Sequence, residues 1–472
     1  MTDDLAYMGA TDAVELFREQ KLSPVELAQA VIGRAEAVEP TINAFAETFY
    51  EGAIELARAA ERRYANGTAR PLEGVLVAVK EEAPIAGQHN TFGSVPLRDV
   101  IADATAVFVQ RIIDAGGIVH ARTTTPEFSS APFTWSHLWG VSRNPWNPAF
   151  TPGGSSGGSA ASLAAGSTTL ATGSDIGGSI RIPASFCGVV GFKPPYGRVP
   201  EVEIFNLDHY CHEGPLARTV TDCRLLENVI AGPHPSDVVS LRPKLEVPDD
   251  LRPVEGMRIA FSVDLGCYPV DNDVASNARA AAHRLGDAGA IVEDVTLPWD
   301  LERLNRAARI HFGMIFGPSI TEVYDAHRDE LTPYARDLYE ESLEVSKDDY
   351  VRGLALEGAL YRPLGAILEE YDALLCPTFA IPAFRAEWGM TDPLAVNGRP
   401  LDDWFAVMMT IPFNIASRCP VMSVPSGRSR DGVPTGLSIV APTYDDVTAF
   451  RVAAALEQSE PWLDAPANRP AL

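Results

Sequence analysis

The sequence is short of positive charge. Its 472 residues include 38 Lys and Arg against 63 Asp and Glu, which gives a net charge of −25 at pH 7, and five of the basic residues are lysines. Binding to the phosphates of a nucleic acid requires clustered Lys and Arg, and so does electrostatic docking on an anionic membrane. The charge balance therefore argues against a nucleic-acid partner and against a membrane partner.

Paired cysteines and long apolar segments are also missing. The six cysteines lie between Cys187 and Cys419 without a C-x-x-C motif, which predicts reduced thiols and no zinc site. The longest strongly apolar run without charge, Trp404 to Ser417, is too short to span a bilayer. The first residues carry Asp3 and Asp4 and no basic segment typical of a secretory signal. We expect a cytoplasmic protein.

Hydrophobic periodicity predicts the secondary structure. Apolar residues recur at helical spacing in 11–20, 24–38 and 49–65. The run Gly74 to Lys80 is continuous, apolar and rich in valine, as expected of a buried parallel strand. Further helices are predicted at 104–115, 273–288, 302–317, 348–371 and 444–458, and further strands at 117–121, 257–263, 291–295, 373–376, 421–424 and 436–440. This alternation predicts an α/β architecture.

Lys80 differs from the other four lysines because it ends this apolar strand, whereas they lie in polar or Gly/Pro-rich surroundings. Burial disfavours the charged form of an amine, and a neutral amine can accept a proton. A functional lysine is therefore one interpretation of this position. The alternative is a structural lysine that pairs with Glu81 or Glu82 at the end of the strand.

A glycine- and serine-rich segment over 151–161 is the second candidate. Its Gly153-x-Ser155-x-Gly157 spacing matches the nucleophile elbow G-x-S-x-G. Three prolines in the preceding nine residues exclude the central strand that an elbow requires, and no Gly-Lys-Ser/Thr follows, as a phosphate-binding loop would need. The alternative without a function is a flexible linker. A helix of small residues is predicted from Ser159 onward, which argues against a linker.

The third candidate is the segment Gly173 to Ala184. A tight Gly177-Gly178 turn can direct several successive N–H groups at one point, which suits an anion or a developing oxyanion. Ser179 follows this turn at the predicted start of a helix. The alternative is a simple capped turn with Ser179 as the N-cap residue.

Together, the three segments resemble the amidase signature family, whose catalytic set is a serine, a cis serine and a lysine. Further stretches at 188–194, 214–220 and 412–414 are also similar, so the resemblance covers the whole chain. It implies that Ser179 is the nucleophile, that Ser155 bridges the relay after a cis peptide bond, and that Lys80 is the general base.

The resemblance also implies supporting roles. The oxyanion hole is expected from the backbone N–H groups of Ile176, Gly177, Gly178 and Ser179. Asp175 and Arg181 are expected to pair and brace this loop. Ser174 is expected to place a hydroxyl near Ser155, with Ser156 as another supporting residue. No metal ion or organic cofactor is required.

With the alternation described above, the resemblance predicts one large three-layer α/β/α domain over 1–472, with a mixed, mostly buried sheet wrapped by helices. Within it we expect a helical N-terminal segment over about 1–70, a catalytic core over about 71–230 and a remaining lobe over about 231–472. The chain is expected to be a monomer or a homodimer.

Histidines offer two alternatives. His209 and His212, with Cys211 and Glu213, form an H-x-x-H cluster that can suggest a metal, although no second cluster matches it. Asp208 and His209 can also suggest an esterase of the Ser–His–Asp type. A non-catalytic binding homologue is the third possibility.

The expected reaction is hydrolysis of the amide C–N bond of a small molecule through a Ser179 acyl-enzyme. Aryl or otherwise apolar amides are the expected substrates, with carbamates (urethanes) and esters as further candidates, because aromatic residues flank the catalytic segments. The expected pocket residues are Phe128, Phe133, Trp135, His209, Tyr210 and Trp404, and Phe405 is a further candidate.

Overall fold

The computed structural model describes residues 2–460, 462–463 and 465–472. An eleven-stranded mixed sheet forms its centre, in the order β1-β3-β2-β6-β8-β7-β14-β15-β11-β9-β10. Two small hairpins, β4–β5 and β12–β13, lie outside this sheet. The strands are β1 Phe45–Thr48, β2 Leu76–Lys80, β3 Ile118–Thr123, β4 Trp135–Ser136, β5 Gly140–Val141, β6 Leu170–Ser174, β7 Val190–Lys193, β8 Glu213–Ala217, β9 Arg258–Phe261, β10 Ile291–Asp294, β11 Ala373–Pro377, β12 Leu394–Val396, β13 Arg399–Leu401, β14 Val421–Arg428 and β15 Pro434–Val440.

Helices cover both faces of the large sheet. They are α1 Thr2–Ala6, α2 Ala10–Arg18, α3 Pro24–Ile42, α4 Tyr50–Ala65, α5 Val107–Asp114, α6 Gly157–Ala165, α7 Arg181–Cys187, α8 Val220–Ile230, α9 Asn272–Asp287, α10 Leu301–Ser319, α11 Thr321–His327, α12 Pro333–Ser342, α13 Lys347–Glu370, α14 Pro412–Ile415 and α15 Asp446–Ser459. No helix in these described ranges is long and apolar enough to cross a membrane.

The strand β2 shows how the sheet separates two layers of helices. Its five residues are all buried, and successive side chains point to opposite faces because of the pleat. Val77 and Val79 belong to an apolar cluster with α5, α8, α9 and α15, whereas Ala78 belongs to another with α6 and α7. Further along the sheet, Leu374 and Cys376 pack in a third cluster with α10, α12 and α13. The predicted three-layer α/β/α domain is confirmed.

Local sequence accounts for most of these elements. The helix α3 begins with Pro24 in its first turn and with a capping box, in which Ser23 accepts from the N–H of Val25 and Glu26 accepts from the N–H of Ser23. As predicted, β2 is a parallel strand, and its partners are β3 and β6.

The sequence patterns did not predict β6, β7, β8 or α12. The first three strands are short, completely buried and interrupted by glycine or proline, so periodicity is absent from them. Their antiparallel partners lie elsewhere in the chain: β8 pairs with both β6 and β7, and β7 pairs with β14. Tertiary pairing defines these strands.

Candidate active site

The strand β2 places Lys80 at its carboxyl end, among three polar side chains. The Lys80 side chain is 1% exposed. Its Nζ donates to Ser155 Oγ at 2.7 Å and to Ser174 Oγ at 2.9 Å. Glu82 Oε1 lies 2.8 Å from the same nitrogen. The sheet therefore holds a buried amine in direct contact with two hydroxyls and one carboxylate.

Ser155 lies in the loop before α6, and the peptide bond between Gly154 and Ser155 is cis. The loop passes very close to the main chain of a neighbouring segment. A Cβ atom at position 154 would lie 2.3 Å from the carbonyl oxygen of Phe133, so only glycine fits there. This close packing sets the path of the chain that brings Ser155 Oγ to Lys80.

Ser179 lies in the turn between β6 and α7. Its carbonyl oxygen accepts a hydrogen bond of 3.1 Å from the N–H of Ser156, and the Ser156 hydroxyl lies 3.4 Å from the carbonyl oxygen of Ser174. Ser156 thus joins the Ser155 loop to both ends of the Ser179 turn. The side chain of Ser179 is 7% exposed, and Ser179 lines the main cavity.

A buried ion pair braces the Ser179 turn. Arg181 donates to the two carboxylate oxygens of Asp175 through Nε and an Nη atom, each at 2.8 Å, and both side chains are fully buried. Asn414 donates to Asp175 at 2.9 Å and accepts from Arg181 at 2.7 Å. The guanidinium of Arg181 holds the pKa of Asp175 well below its ordinary value despite burial, which by itself raises it.

The N–H groups of the turn divide into two sets. Gly178, at a φ of +125°, donates its N–H to Asp175 at 2.9 Å, so this group does not fit the expected oxyanion hole. Over the described residues, the N–H groups of Ile176, Gly177 and Ser179 donate no hydrogen bond. These three residues line the cavity, whereas Gly178 does not. Three donors beside Ser179 are therefore available to a ligand.

His212 contacts the backbone of the turn, and Lys193 lies next to His212. The ring nitrogens of His212 lie 3.0 Å from the Asp175 carbonyl oxygen and 3.1 Å from that of Ser417. Lys193 Nζ donates to the carbonyl oxygen of Cys419 at 3.0 Å. Burial lowers the pKa of His212 to about 3 and that of Lys193 to about 7. His212 thus holds the backbone of the turn by hydrogen bonding.

His209 lies in a separate network. Its Nε2 lies 3.2 Å from Glu357 Oε2, and His311 Nε2 lies 2.6 Å from Asp208 Oδ1. Asp208, His209 and His311 bring potential metal-ligand atoms within 4.8 Å of one another. His311 Nε2 is hydrogen-bonded to Asp208, whereas its Nδ1 lies 3.7 Å from Glu357 Oε1. Ser155 contacts Lys80 instead, so the Ser–His–Asp alternative has no geometric support.

A cavity of about 860 Å³ opens beside the turn, with Gly154, Ile176, Gly177 and Ser179 in its lining. Its aromatic lining residues are Phe312, Phe316, Tyr334, Trp404 and Phe405. Its charged lining residues are Arg306, Arg309, Asp337, Glu341, Glu344, Asp349, Asp402 and Asp403.

A family model named Amidase matches residues 26–450 of the chain. The chain belongs to the amidase signature family. Among its relatives, an acylamidase of Rhodococcus erythropolis is 34% identical over 98% of this chain and 97% of its own length. A subunit of the glutamyl-tRNA(Gln) amidotransferase of Moorella thermoacetica is also 34% identical, over 97% of each chain.

Solved structures of amidase signature enzymes agree with this fold. A bacterial aryl acylamidase of this family superposes with a TM-score of 0.91 at 29% identity, covering 98% of this chain and 99% of its own. The 6-aminohexanoate cyclic dimer hydrolase in complex with substrate superposes with a TM-score of 0.84 at 28% identity, covering 99% of each chain. As an amidase signature enzyme, this protein is an amide C–N bond hydrolase.

The expected aromatic pocket of this amidase signature protein differs from the observed one. Trp404 lines the cavity, as does Phe405. Phe133 is completely buried and stacks on Trp135 at 5.7 Å, with Phe128 in the same apolar cluster. These side chains pack in an apolar cluster that also contains the lining residue Ala131.

His209 and Tyr210 are absent from the cavity lining as well. Tyr210 stacks on His311 at a centroid distance of 3.6 Å and donates its hydroxyl to Glu357. The sequence patterns did not identify Phe312, Phe316 and Tyr334 as lining residues, which α10 and α12 contribute. No local signal identifies them, because tertiary packing alone brings these helices over Ser179.

Proposed function

We propose that this protein hydrolyses amides with an aryl or otherwise apolar group through an acyl-enzyme on Ser179. The observation that carries the proposal is the 2.7 Å contact between Lys80 Nζ and Ser155 Oγ, beside the cavity that Ser179 lines. A buried amine in contact with a serine hydroxyl is a base without a metal or a histidine. Carbamates and esters carry the same attackable carbonyl and are further candidate substrates.

The proposed proton path runs from Ser179 through Ser155 to Lys80, and the contact between Lys80 and Ser155 supports its second step. As Ser179 Oγ attacks the carbonyl carbon, its proton passes to Ser155 Oγ, and the proton of Ser155 passes to Lys80 Nζ. When the C–N bond breaks, Ser155 delivers a proton to the leaving nitrogen and regains one from Lys80. Water then attacks the acyl-enzyme by the same path and releases the acid.

The tetrahedral oxyanion is stabilised by the N–H groups of Ile176, Gly177 and Ser179. Each donor of this kind contributes about 3–4 kcal/mol to lowering a barrier. Gly178 supports the oxyanion hole indirectly, because the hydrogen bond from its N–H to the Asp175 carboxylate fixes the turn. The brace of Asp175 and Arg181 keeps these donors in place before substrate arrives.

The aromatic lining supports the choice of substrate. Five aromatic residues line the cavity, and the contact of a substrate ring with them stabilises its complex by about 25 cal/mol per Å² of apolar surface removed from water. A short aliphatic amide offers little such surface. The acylamidase and the aryl acylamidase among the similar proteins favour the same substrate class.

The test compares kcat/KM for an anilide, a phenyl carbamate, propionamide and glutamine, the last because amidotransferase subunits are equally similar relatives. We expect the two aryl substrates to be hydrolysed fastest and Ser179→Ala to abolish their turnover. A fluorophosphonate probe should attach to Ser179, as read by mass spectrometry of peptides. A faster reaction with propionamide, or turnover by Ser179→Ala, contradicts the proposal.

A further inference from the structure

Glu82 connects the base to the wall of the cavity. It follows Lys80 by two residues, and its Oε1 lies 2.8 Å from Lys80 Nζ. Its other oxygen, Oε2, accepts a hydrogen bond from the hydroxyl of Ser129, and Ser129 lines the cavity. The Glu82 side chain is 12% exposed. The carboxylate is therefore fixed at both ends, on Lys80 and on Ser129.

We propose that Glu82 is a positioning residue that directs Lys80 Nζ toward Ser155 and stabilises the ammonium that Lys80 becomes during the reaction. The inference rests on the proposed relay from Ser179 through Ser155 to Lys80. It assigns to Glu82 the part that the carboxylate of a Ser–His–Asp triad plays for its imidazolium, which is to orient the base and balance its charge.

The need for such a partner follows from burial. When the O–H bond of Ser155 breaks and an N–H bond forms on Lys80, a positive charge appears on a side chain that is 1% exposed. A buried charge without a partner is costly. A carboxylate at 2.8 Å stabilises that charge, and it does so most strongly when the proton has arrived on Lys80.

Other charged groups near Lys80 do not replace Glu82. Glu213 on β8 lies near Lys80, with Glu201 as its neighbour. Burial and the neighbouring carboxylates raise the pKa of Glu213 well above its ordinary value, and burial raises the pKa of Glu201 to about 7. The two groups together therefore carry less negative charge near neutral pH than two ordinary carboxylates.

Two more charged groups lie on the neighbouring backbone. Arg122 on β3 donates to the carbonyl oxygens of Lys80 and Glu81 through one Nη atom, so its charge lies on the main-chain side of the base. The carboxylate of Glu81 accepts from the N–H groups of Thr91 and Gly93. Within the described ranges, Glu82 is the carboxylate in ion-pair contact with Lys80 Nζ.

The proposal has a signature in the separate effects on kcat and KM. Removing the charge of Glu82 leaves the ammonium of Lys80 unbalanced during the reaction, so kcat should fall. Glu82 does not line the cavity, whereas its hydrogen-bond partner Ser129 does. A change that keeps the bond to Ser129 should therefore leave KM nearly unchanged.

The experiment measures kcat and KM for an anilide with the wild type, Glu82→Gln and Glu82→Asp. Gln keeps an oxygen that can accept from Ser129 but removes the charge. We expect its kcat to fall at least about tenfold while its KM changes by less than about twofold, as for the loss of a group that balances the charge of the base. Glu82→Asp, which keeps the charge, should recover most of the wild-type kcat.

Glu73→Gln is the matched control. Glu73 is buried just before β2 and pairs with Arg63 and Arg70, at the end of the strand away from the amine. Its loss is expected to lower stability with little change in kcat. A wild-type kcat in Glu82→Gln, or an equal loss of kcat in Glu82→Gln and Glu82→Asp, overturns the role of Glu82. Glu82→Asn provides the same test if the Gln variant does not fold. Activity in Ser179→Ala would instead overturn the relay itself.

Discussion

Arg181 binds Asp175 through two parallel hydrogen bonds of 2.8 Å, with both side chains excluded from solvent. This pair lies on either side of Ser179 in the chain and fixes the turn that carries it. Asn414, from α14, closes the arrangement by bonding both partners. The turn therefore depends on a contact between the catalytic segment and a helix more than 200 residues later in the sequence.

The first prediction concerns this pair. Asp175→Asn should lower the free energy of unfolding by about 3–5 kcal/mol, because it leaves the Arg181 guanidinium buried without its counter-ion. Activity should fall with it, since the N–H of Gly178 loses its charged acceptor. Urea unfolding monitored by fluorescence measures the change. The control is Asp273→Asn, which removes an ion pair with the exposed Arg430 and should lower the free energy of unfolding far less. Equal losses in the two variants would contradict a special role for the Asp175–Arg181 pair.

The second prediction concerns the leaving group. Amide nitrogen must receive a proton before the C–N bond breaks, whereas a nitrophenolate leaves without one. Lys80→Ala and Ser155→Ala should therefore reduce kcat/KM for a nitroanilide by at least about 100-fold more than for the corresponding nitrophenyl ester. Parallel assays of the two substrates test this. Equal losses for both would mean that the relay does not protonate the leaving group.

The third prediction concerns the aromatic wall. Phe312 lies close to the Ser179 turn, since a Cβ atom on Gly177 would be 3.3 Å from its ring. Phe312→Ala should lower kcat/KM for an anilide about tenfold, because it removes apolar contact area, and should leave propionamide nearly unchanged. Phe312→Leu keeps an apolar side chain, so its kcat/KM for the anilide should lie between those of the wild type and Phe312→Ala. Equal effects on both substrates would place Phe312 outside the substrate contact.

The fourth prediction concerns charge in the cavity. Its lining contains six carboxylates and two arginines, and Arg309 is paired with Glu341 and Asp403. An anilide with a carboxylate on its ring should therefore be a poorer substrate than the same anilide with a carboxamide there. The difference should shrink at high salt because screening weakens exposed charge interactions. A preference for the carboxylate would contradict this electrostatic interpretation.

The fifth prediction concerns stability against pH. Glu227 on α8 is buried, neither carboxylate oxygen has a hydrogen-bond partner in the described structure, and burial raises its pKa well above the ordinary value. A carboxyl whose pKa is raised on folding stabilises the native state at low pH, and this contribution is lost as pH rises above about 4.5.

Glu227→Gln should accordingly stabilise the protein more at pH 8 than at pH 5. The expected gain at pH 8 is about 1–2 kcal/mol, because each unit by which folding raises the pKa corresponds to about 1.4 kcal/mol and the amide of Gln does not titrate. Urea unfolding at the two pH values measures it, and a gain that is independent of pH would rule out titration of Glu227 as the cause.

Local patterns in the chain were sufficient to predict the helices with apolar residues at a spacing of 3.6 and the buried strand that ends in Lys80. They also pointed to the two glycine- and serine-rich segments that carry Ser155 and Ser179. Each of these signals lies within one short stretch, where backbone geometry dictates which residues share a face or permit a tight turn. Sequence alone could determine them for that reason.

Contacts across the fold were decided by the tertiary structure. Lys80 meets Ser155 from a position 75 residues away, and α10 and α12 cover the Ser179 turn with Phe312, Phe316 and Tyr334. The pairing of Lys80 with Glu82 and its contact with Ser155 were competing interpretations in the sequence, yet the structure holds both at once. Hydrophobic periodicity does not predict such contacts. The distance between two segments that are far apart in the sequence depends on the order of the strands in the sheet and on how the helices pack on it.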